Sequence, residues 1–254
     1  MNVHPSIATH PNVDQWLEFT ADERIVVHTG KVDIGQRIST ALAIIAAEEL
    51  DVDYNRIDVK RTQTGLDPDE GFTAGSMSMQ HSGSAIRLAS ATTRHYLIDL
   101  AANVLGLAPG TLVVDDGIVR SLVTGAHVSY WSLLTDKSLS VRIDETAPLK
   151  RPADYSWIGK AVIPKGLVDI VRGKTVFVHD LQLPQMLHSR VVRPPHSAAR
   201  IESLDTTVIK DLKDSGVITV QDGSFLAVAA TDEYRATKAA ARLSSAIQWN
   251  LGSG

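Results

Sequence analysis

The sequence predicts an α+β fold in two unequal parts, and three observations carry that prediction. Twice, a strand-like run (residues 24–28, then 56–61) leads through a Gly/Ser/Thr-rich loop into a helix-like segment. Asp115-Asp-Gly separates two β-rich runs, a strong signature of a tight hairpin. Beyond a proline-interrupted stretch, the last third holds short strand-like runs and one helical pattern.

The elements follow in order. Residues 16–19 and 24–28 form a hairpin joined by Thr20-Ala-Asp-Glu, since both arms are short and β-rich. Residues 39–50 form a helix with Leu42, Ile45, Ala46 and Leu50 spaced along one buried face. After the strand at 56–61 comes a long helix over 84–105. Its buried stripe is Ala89, Tyr96, Leu97, Leu100 and Val104, and Gly106 stops it. A Pro109-Gly110 turn introduces strands 111–114 and 118–122. This first part, residues 1–145, is a βαβα layer pattern. Residues 146–166, with Thr-Ala-Pro-Leu-Lys-Arg-Pro-Ala-Asp-Tyr and then Ile163-Pro-Lys-Gly, read as an extended connector. Residues 167–254 read as a compact α+β module. Its strands fall at 175–178, 186–193, 199–204, 217–220 and 225–229, followed by a helix over 232–245 and a last strand at 246–249.

Bulk properties exclude several functions. The 254 residues carry a net charge of −4 with the signs interspersed, so no basic face points to nucleic acid or an anionic membrane. No apolar run approaches the ~20 residues of a membrane helix. The opening Met-Asn-Val-His-Pro lacks the charged and apolar regions of a signal peptide, and cytoplasmic folding is the expectation. Zero cysteines rule out disulfides, a cysteine nucleophile and an iron–sulfur cluster held by these residues. The nine histidines form no helical His-x-x-x-His pair, and no Gly-x-Ser-x-Gly, Walker or Rossmann motif is present. Asp67, Asp69 and Glu70 flank Pro68 and read as a solvated turn rather than an acid/base pair.

The two loops hold the chemistry. A small-residue loop opening a helix offers unpaired N–H groups, hydroxyls and the positive end of a helix dipole, which suits an anion such as phosphate. In the first loop Gly35 allows a tight turn or a close backbone approach. Gln36 can cap the loop or donate and accept against a ligand edge. Arg37 can reach a phosphate, and Thr40 can donate or simply begin the helix. In the second, Thr73, Gly75, Ser76, Met77 and Ser78 offer either a ligand-lining run or a solvated start to the long helix.

The wording of the runs adds a family. Gly30-Lys-Val-Asp-Ile-Gly-Gln-Arg37 followed by Thr40, then Ala41-Leu-Ala-Ile-Ile-Ala-Ala-Glu-Glu-Leu-Asp-Val52 and Arg56-Ile-Asp-Val59, form the first block. Asp69-Glu-Gly-Phe-Thr-Ala-Gly-Ser76, Val176-Phe-Val-His-Asp-Leu181 and Met186-Leu-His-Ser-Arg-Val-Val-Arg-Pro-Pro-His196 follow in order. Together they resemble the N-terminal portion of the molybdopterin-binding large subunit of molybdenum hydroxylases, the xanthine dehydrogenase and aldehyde oxidase family. The resemblance is strongest to the bacterial branch acting on nicotinate, isoquinoline and aldehydes, and spans residues 16 to about 249. It implies a molybdenum-cofactor-binding domain part followed by a small hammerhead-like module.

The resemblance also implies the site and its company. Gly35, Gln36, Arg37, Thr40, Thr73, Gly75, Ser76, Met77 and Ser78 fall where the family binds molybdopterin, with Gln36 at the place of the Gln against the molybdenum oxo ligand. Arg37 stands where the family pattern has Gly, which leaves two readings open, an added contact to phosphate or a copy that binds the cofactor poorly; Gln185 replaces another Gly. The implied cofactor is molybdopterin as a dinucleotide, with 2Fe-2S clusters and flavin or haem on partner subunits. The implied reaction is water-derived hydroxylation of an N-heterocycle or an aldehyde. The family's catalytic Glu and a further Gly-Gly-x-Phe-Gly loop lie later in a longer subunit, so no catalytic residue and no metal ligand is assigned here. A second large-subunit piece, an iron–sulfur subunit and an FAD or cytochrome subunit are the expected partners, and these residues alone are expected to be inactive. Two other readings stand beside it: a non-catalytic scaffold or truncated piece, and an unrelated phosphate-ligand binder.

Overall fold

A computed structural model describes residues 5–135, 139–174 and 177–252. The chain divides into two compact units, residues 1–176 and 177–254.

The first unit starts with the short helix α1 (Pro5–Thr9) and the hairpin strands β1 (Leu17–Phe19) and β2 (Ile25–Val27), paired antiparallel with Leu17 opposite Val27. Residues 28–37 then lead into α2 (Ile38–Leu50), which returns the chain to β3 (Ile57–Val59). Strand β3 pairs parallel with β2, Ile25 opposite Ile57, so β2–α2–β3 is a crossover unit. All four residues expected on the inner face of α2, Leu42, Ile45, Ala46 and Leu50, are buried. They join Trp16, Ile25, Ile57 and Ile86 in one core. Each such large side chain withdrawn from water contributes on the order of 1.5–3 kcal/mol.

A single π-turn (Met79–Gly83) feeds α3 (Ser84–Leu105), which ends at Gly106 in the left-handed conformation, φ 67°. Of its expected stripe, Ala89 and Leu97 are buried and Tyr96 and Leu100 partly so, but Val104 is 63% exposed because it lies in the last turn. Strands β4 (Leu112–Asp115), β5 (Ile118–Ser121) and β6 (His127–Ser129) form an antiparallel meander. Its first turn has Asp116 at φ 48° and Gly117 at φ 73°, the double positive φ that a two-residue hairpin of this hand needs. Helix α4 (Tyr130–Leu134) follows directly.

Residues 146–166 belong to the first unit and pack against α2 and α3. The buried Glu48 carboxylate accepts the N–H groups of Ser156, Trp157 and Ile158 and the Lys150 ammonium at 2.7–3.1 Å. Glu49, equally buried, accepts from Lys150 N and from Arg87 of α3. Helix α5 (Leu167–Val171) comes after.

In the second unit, β7 (His188–Val192), β8 (Arg200–Leu204), α6 (Thr206–Asp214), β9 (Ile218–Asp222), β10 (Phe225–Ala230), α7 (Glu233–Ser244) and β11 (Ile247–Asn250) follow in order. Strands β7, β10 and β9 form one antiparallel sheet, and β8 and β11 a second pair. Alternate residues Val192, Leu226, Val228 and Ala230 join Leu212 of α6 and Ala236, Ala239 and Leu243 of α7 in the core. Asp205 and Asp232 cap the two helices by accepting Thr207 N and Arg235 N. Of the strand expected at 175–178, residues 175–176 lie outside the described residues, and Val178 belongs to a 3-10 turn (Val178–Asp180) rather than a strand. Strand β6 and the helices α1, α4, α5 and α6 are additional to the elements the sequence predicts.

Candidate functional site

The crossover β2–α2–β3 delivers residues 28–37 to the end of the parallel pair, and residues 60–78 return to the same place before α3. The two loops touch directly: Val32 N donates to Thr73 Oγ1 at 2.9 Å. The roots of the loops are joined more firmly. Lys31, only 3% exposed, donates its ammonium to the carbonyls of Glu70 at 2.7 Å and Phe72 at 3.0 Å. Gly30 lies so close to the second loop that a Cβ there would meet Pro68 O at 2.1 Å.

Asp33 organises the helix end of the first loop. One carboxylate oxygen accepts Gly35 N at 3.1 Å and Arg37 N at 3.3 Å, and the other accepts Ser39 Oγ at 2.6 Å. Partial burial pushes its pKa up, but these hydrogen bonds outweigh that and hold the carboxyl below its ordinary range. Gly35 adopts φ 102°, with open space where a Cβ would stand, so it serves backbone conformation rather than close approach. Gln36 is exposed and spans its own loop: Oε1 accepts Ile34 N at 2.7 Å and Nε2 donates to Val32 O at 2.9 Å. Arg37, at the N-cap of α2, takes φ 65°, ψ 32°, the left-handed region that a Gly would fill without strain.

The other sequence-predicted residues divide. Gly75 (φ 65°) and Ser76 (φ 56°) form an exposed left-handed pair, and Met77 and Ser78 lead into the π-turn. Thr40 is not at the loops: it is buried, and its hydroxyl accepts Lys165 N at 3.0 Å from the extended segment. The structure therefore gathers Gly35, Gln36, Arg37, Thr73, Gly75, Ser76, Met77 and Ser78 on two adjacent loops and leaves Thr40 on a different contact. Around these loops Ile34 is 69% and Phe72 93% exposed, giving the polar surface an apolar fringe.

Sequence reasoning missed the residues beneath the loops. Asp67 is not a solvated turn residue. Its side chain, 1% exposed, pairs with His28 Nδ1 at 2.8 Å and accepts Gln63 N at 2.6 Å. Glu70 is no free carboxylate either; it accepts from Ser6 Oγ, Thr29 Oγ1, Gly30 N and Ser82 Oγ. The signal was present in Ser82 and Thr29, small hydroxyl residues at the inner ends of both runs. Among the described residues no cluster of three or more His, Asp or Glu could hold a metal ion, and no helix is long and apolar enough to cross a membrane.

Comparison with known proteins adds to this geometry. Residues 2–160 match the molybdopterin cofactor-binding domain family. One of the subunits of nicotinate dehydrogenase from Pseudomonas putida is 33% identical over 248 residues, covering 94% of this chain and 20% of that protein. The beta chain of isoquinoline 1-oxidoreductase from Brevundimonas diminuta is 25% identical, covering 94% and 35%. A membrane-bound aldehyde dehydrogenase of Gluconacetobacter polyoxogenes, named for pyrroloquinoline quinone, is 29% identical, covering 78% and 26%. The chain thus spans at most 35% of the length of any of these three relatives.

Proposed function

The chain belongs to the molybdopterin cofactor-binding domain family, and from that premise we propose that its two adjacent loops supply part of a molybdopterin site in a multi-subunit molybdenum hydroxylase. The observation that carries this reading is the direct contact of the loops, Val32 N to Thr73 Oγ1, with both left-handed turns open to solvent on either side.

The residues present fit a polyanionic pterin. Residues 35–37 stand at the N-terminus of α2, where Asp33 already accepts Gly35 N, Arg37 N and Ser39 Oγ, so contacts to the pterin from this side would come from the Gln36 and Arg37 side chains. Gly75, Ser76 and Ser78 offer backbone and hydroxyl donors across from them. Gln36 would turn its amide from its own loop toward the ligand, exchanging two local hydrogen bonds for ligand contacts. Arg37 would add a charge-assisted contact to phosphate. Thr40 would act indirectly, by holding Lys165 and the extended segment on α2. Molybdopterin, when bound, would supply oxidation of a C–H bond with oxygen drawn from water. These residues would bind and orient it, and no side chain on the two loops is assigned as the base.

The substrate class we infer is an electron-poor N-heterocycle or an aldehyde, in keeping with the names of the relatives. A further portion of large subunit would carry the catalytic Glu. Clusters of the 2Fe-2S type, with flavin or haem, would take the electrons on partner subunits. The exposed apolar fringe, Ile34 and Phe72 above all, supports completion of the site by other protein surface. By itself this part would be inactive.

The test is molybdenum per chain, by elemental mass spectrometry, after a tag draws the native complex from its host. Near one molybdenum per complex beside an iron–sulfur subunit supports the reading. Intact partners without molybdenum would replace it with a scaffold role, which the self-engaged Gln36 amide favours.

A further inference from the structure

Glu70 lies outside the set of residues assigned to the cofactor, yet it holds both loops. Its Oε1 accepts Ser6 Oγ of α1 at 2.9 Å. Its Oε2 accepts Gly30 N at 3.0 Å, Thr29 Oγ1 at 3.2 Å and Ser82 Oγ. Thr29 and Ser82, both buried, also bond to each other at 2.9 Å. One side chain thus joins α1, the root of the first loop and the π-turn that ends the second.

The backbone of the same residue is engaged as well. The buried Lys31 ammonium draws the carbonyls of Glu70 and Phe72 toward the first loop. In a trans peptide the N–H points opposite to the C=O, so the Thr73 N–H is sent away from Lys31. Carbonyls at the root turn inward, and the amide that begins the ligand-lining run turns out. That is the polarity an anionic ligand needs.

A carboxylate is the group suited to this place. Two oxygens offer about four acceptor sites and no donor; Ser6 Oγ, Gly30 N and the Thr29–Ser82 hydroxyl pair converge on them, the pair having two protons to share between Glu70 and its own mutual bond. Alanine would leave the Gly30 N–H and one proton of the buried Thr29–Ser82 hydroxyl pair without an acceptor. Glutamine can put its carbonyl at the Oε2 position and its amide against Ser6 Oγ, which is able to accept.

We propose that Glu70, with Lys31, is a positioning residue for the cofactor: it fixes the spacing and facing of residues 32–37 and 73–78 before any ligand arrives. The proposal rests on the reading of these loops as the molybdopterin site. Glu70 acts through the loops and not by contact with the ligand.

The test compares tagged complexes carrying Glu70→Ala, Glu70→Gln and Ser82→Ala with the wild type. Two readouts are taken: amide hydrogen exchange in residues 32–37 and 73–78, and molybdenum per chain. Glu70→Ala is expected to speed exchange in both loops about tenfold and to lower molybdenum severalfold. Glu70→Gln should restore most of both, and Ser82→Ala should fall between. If Glu70→Ala fails to fold, the Ser82→Ala and Glu70→Gln comparison decides. Wild-type loop exchange and full molybdenum in Glu70→Ala would overturn the proposal. So would a loss that follows overall unfolding in every variant without rescue by Gln. Absence of molybdenum from the wild-type complex would sink the cofactor reading instead, and the exchange data alone would then judge Glu70.

Discussion

The carboxylate of Glu48 accepts the Trp157 N–H at 2.7 Å, joining the middle of one segment to a helix 109 residues earlier. With Ser156 N and Ile158 N on the same carboxylate, three successive amides close around one buried charge. Lys150 neutralises it at 3.1 Å. The contact explains how a proline-containing stretch with little regular structure is held against α2 within the first unit. It also lies on the same helix whose N-terminus presents residues 35–37.

Removing that carboxylate is predicted to destabilise the first unit. Glu48→Ala leaves three amides without their acceptor while Lys150 keeps its ion pair with Asp51, so the cost should fall at or below the low end of the roughly 3–5 kcal/mol for breaking a buried pair. The pH dependence follows from the direction of the shift. Burial pushes Glu48 up, but the amides of Ile158, Ser156 and Trp157 and the Lys150 ammonium outweigh it and hold the carboxyl below its ordinary range. A lowered folded pKa means stability that is whole above the unfolded value, about 4.3, and is lost as pH falls through the folded one. Denaturant unfolding at neutral pH and in acid below that value should therefore show the gap between wild type and Glu48→Gln narrowing on the acid side. A gap independent of pH would contradict the assignment.

Arg37→Gly is predicted to stabilise the first unit. A non-Gly residue in the left-handed region carries roughly 1–2 kcal/mol of strain, and Arg37 sits there at φ 65°. Glycine's larger unfolded-state entropy takes back about 0.5–1 kcal/mol. The net gain, on the order of 0.5–1 kcal/mol, should appear as a higher denaturation midpoint with an unchanged slope. A lower midpoint would mean the Arg side chain makes a compensating contact.

Gly30→Ala should act in the opposite sense and for a different reason. Gly35 is required by its φ of 102°, whereas Gly30 is required by space, its would-be Cβ standing 2.9 Å from Glu70 N as well as against Pro68 O. Neither neighbour is a side-chain end that can swing aside. Overpacking of this kind costs about 1–3 kcal/mol, and here it separates the loop roots. The expected result is a lowered midpoint together with faster proteolysis within residues 62–78. An unchanged cleavage pattern would show that the loops do not depend on this approach.

Much of this is legible in the sequence because its signals are local. The helix expected over 84–105 runs Ser84–Leu105, since Gly106 marks its end within the sequence itself. The β2–α2–β3 unit and the Asp116-Gly117 hairpin are readable for the same reason. What is not legible depends on partners far along the chain. Glu48 and Glu49 carry no local signal of their partners, and only the return of residues 150–158 shows what their buried carboxylates accept. Glu70 looks like a turn residue until Ser6, Thr29 and Ser82 converge on it. Strand β6, three residues long, has too few positions to show a period.

On the proposed reading, Gln36 comes nearest to the site's chemistry. Its amide closes residues 32–36 on itself, so Gln36→Ala removes a loop brace and, on the proposed reading, a ligand contact at once. The two roles separate by measurement. A brace alone predicts faster amide exchange at Ile34 and a turnover loss that follows lower cofactor content. A ligand contact predicts lower turnover per molybdenum, with content and assembly near wild type. Gln36→Glu sharpens the comparison, because it keeps the acceptor for Ile34 N but sets a second oxygen against Val32 O. We expect turnover per molybdenum in the native complex to fall in Gln36→Ala with partners still bound. Turnover unchanged per molybdenum would remove Gln36 from the site and leave it as the loop's own fastening.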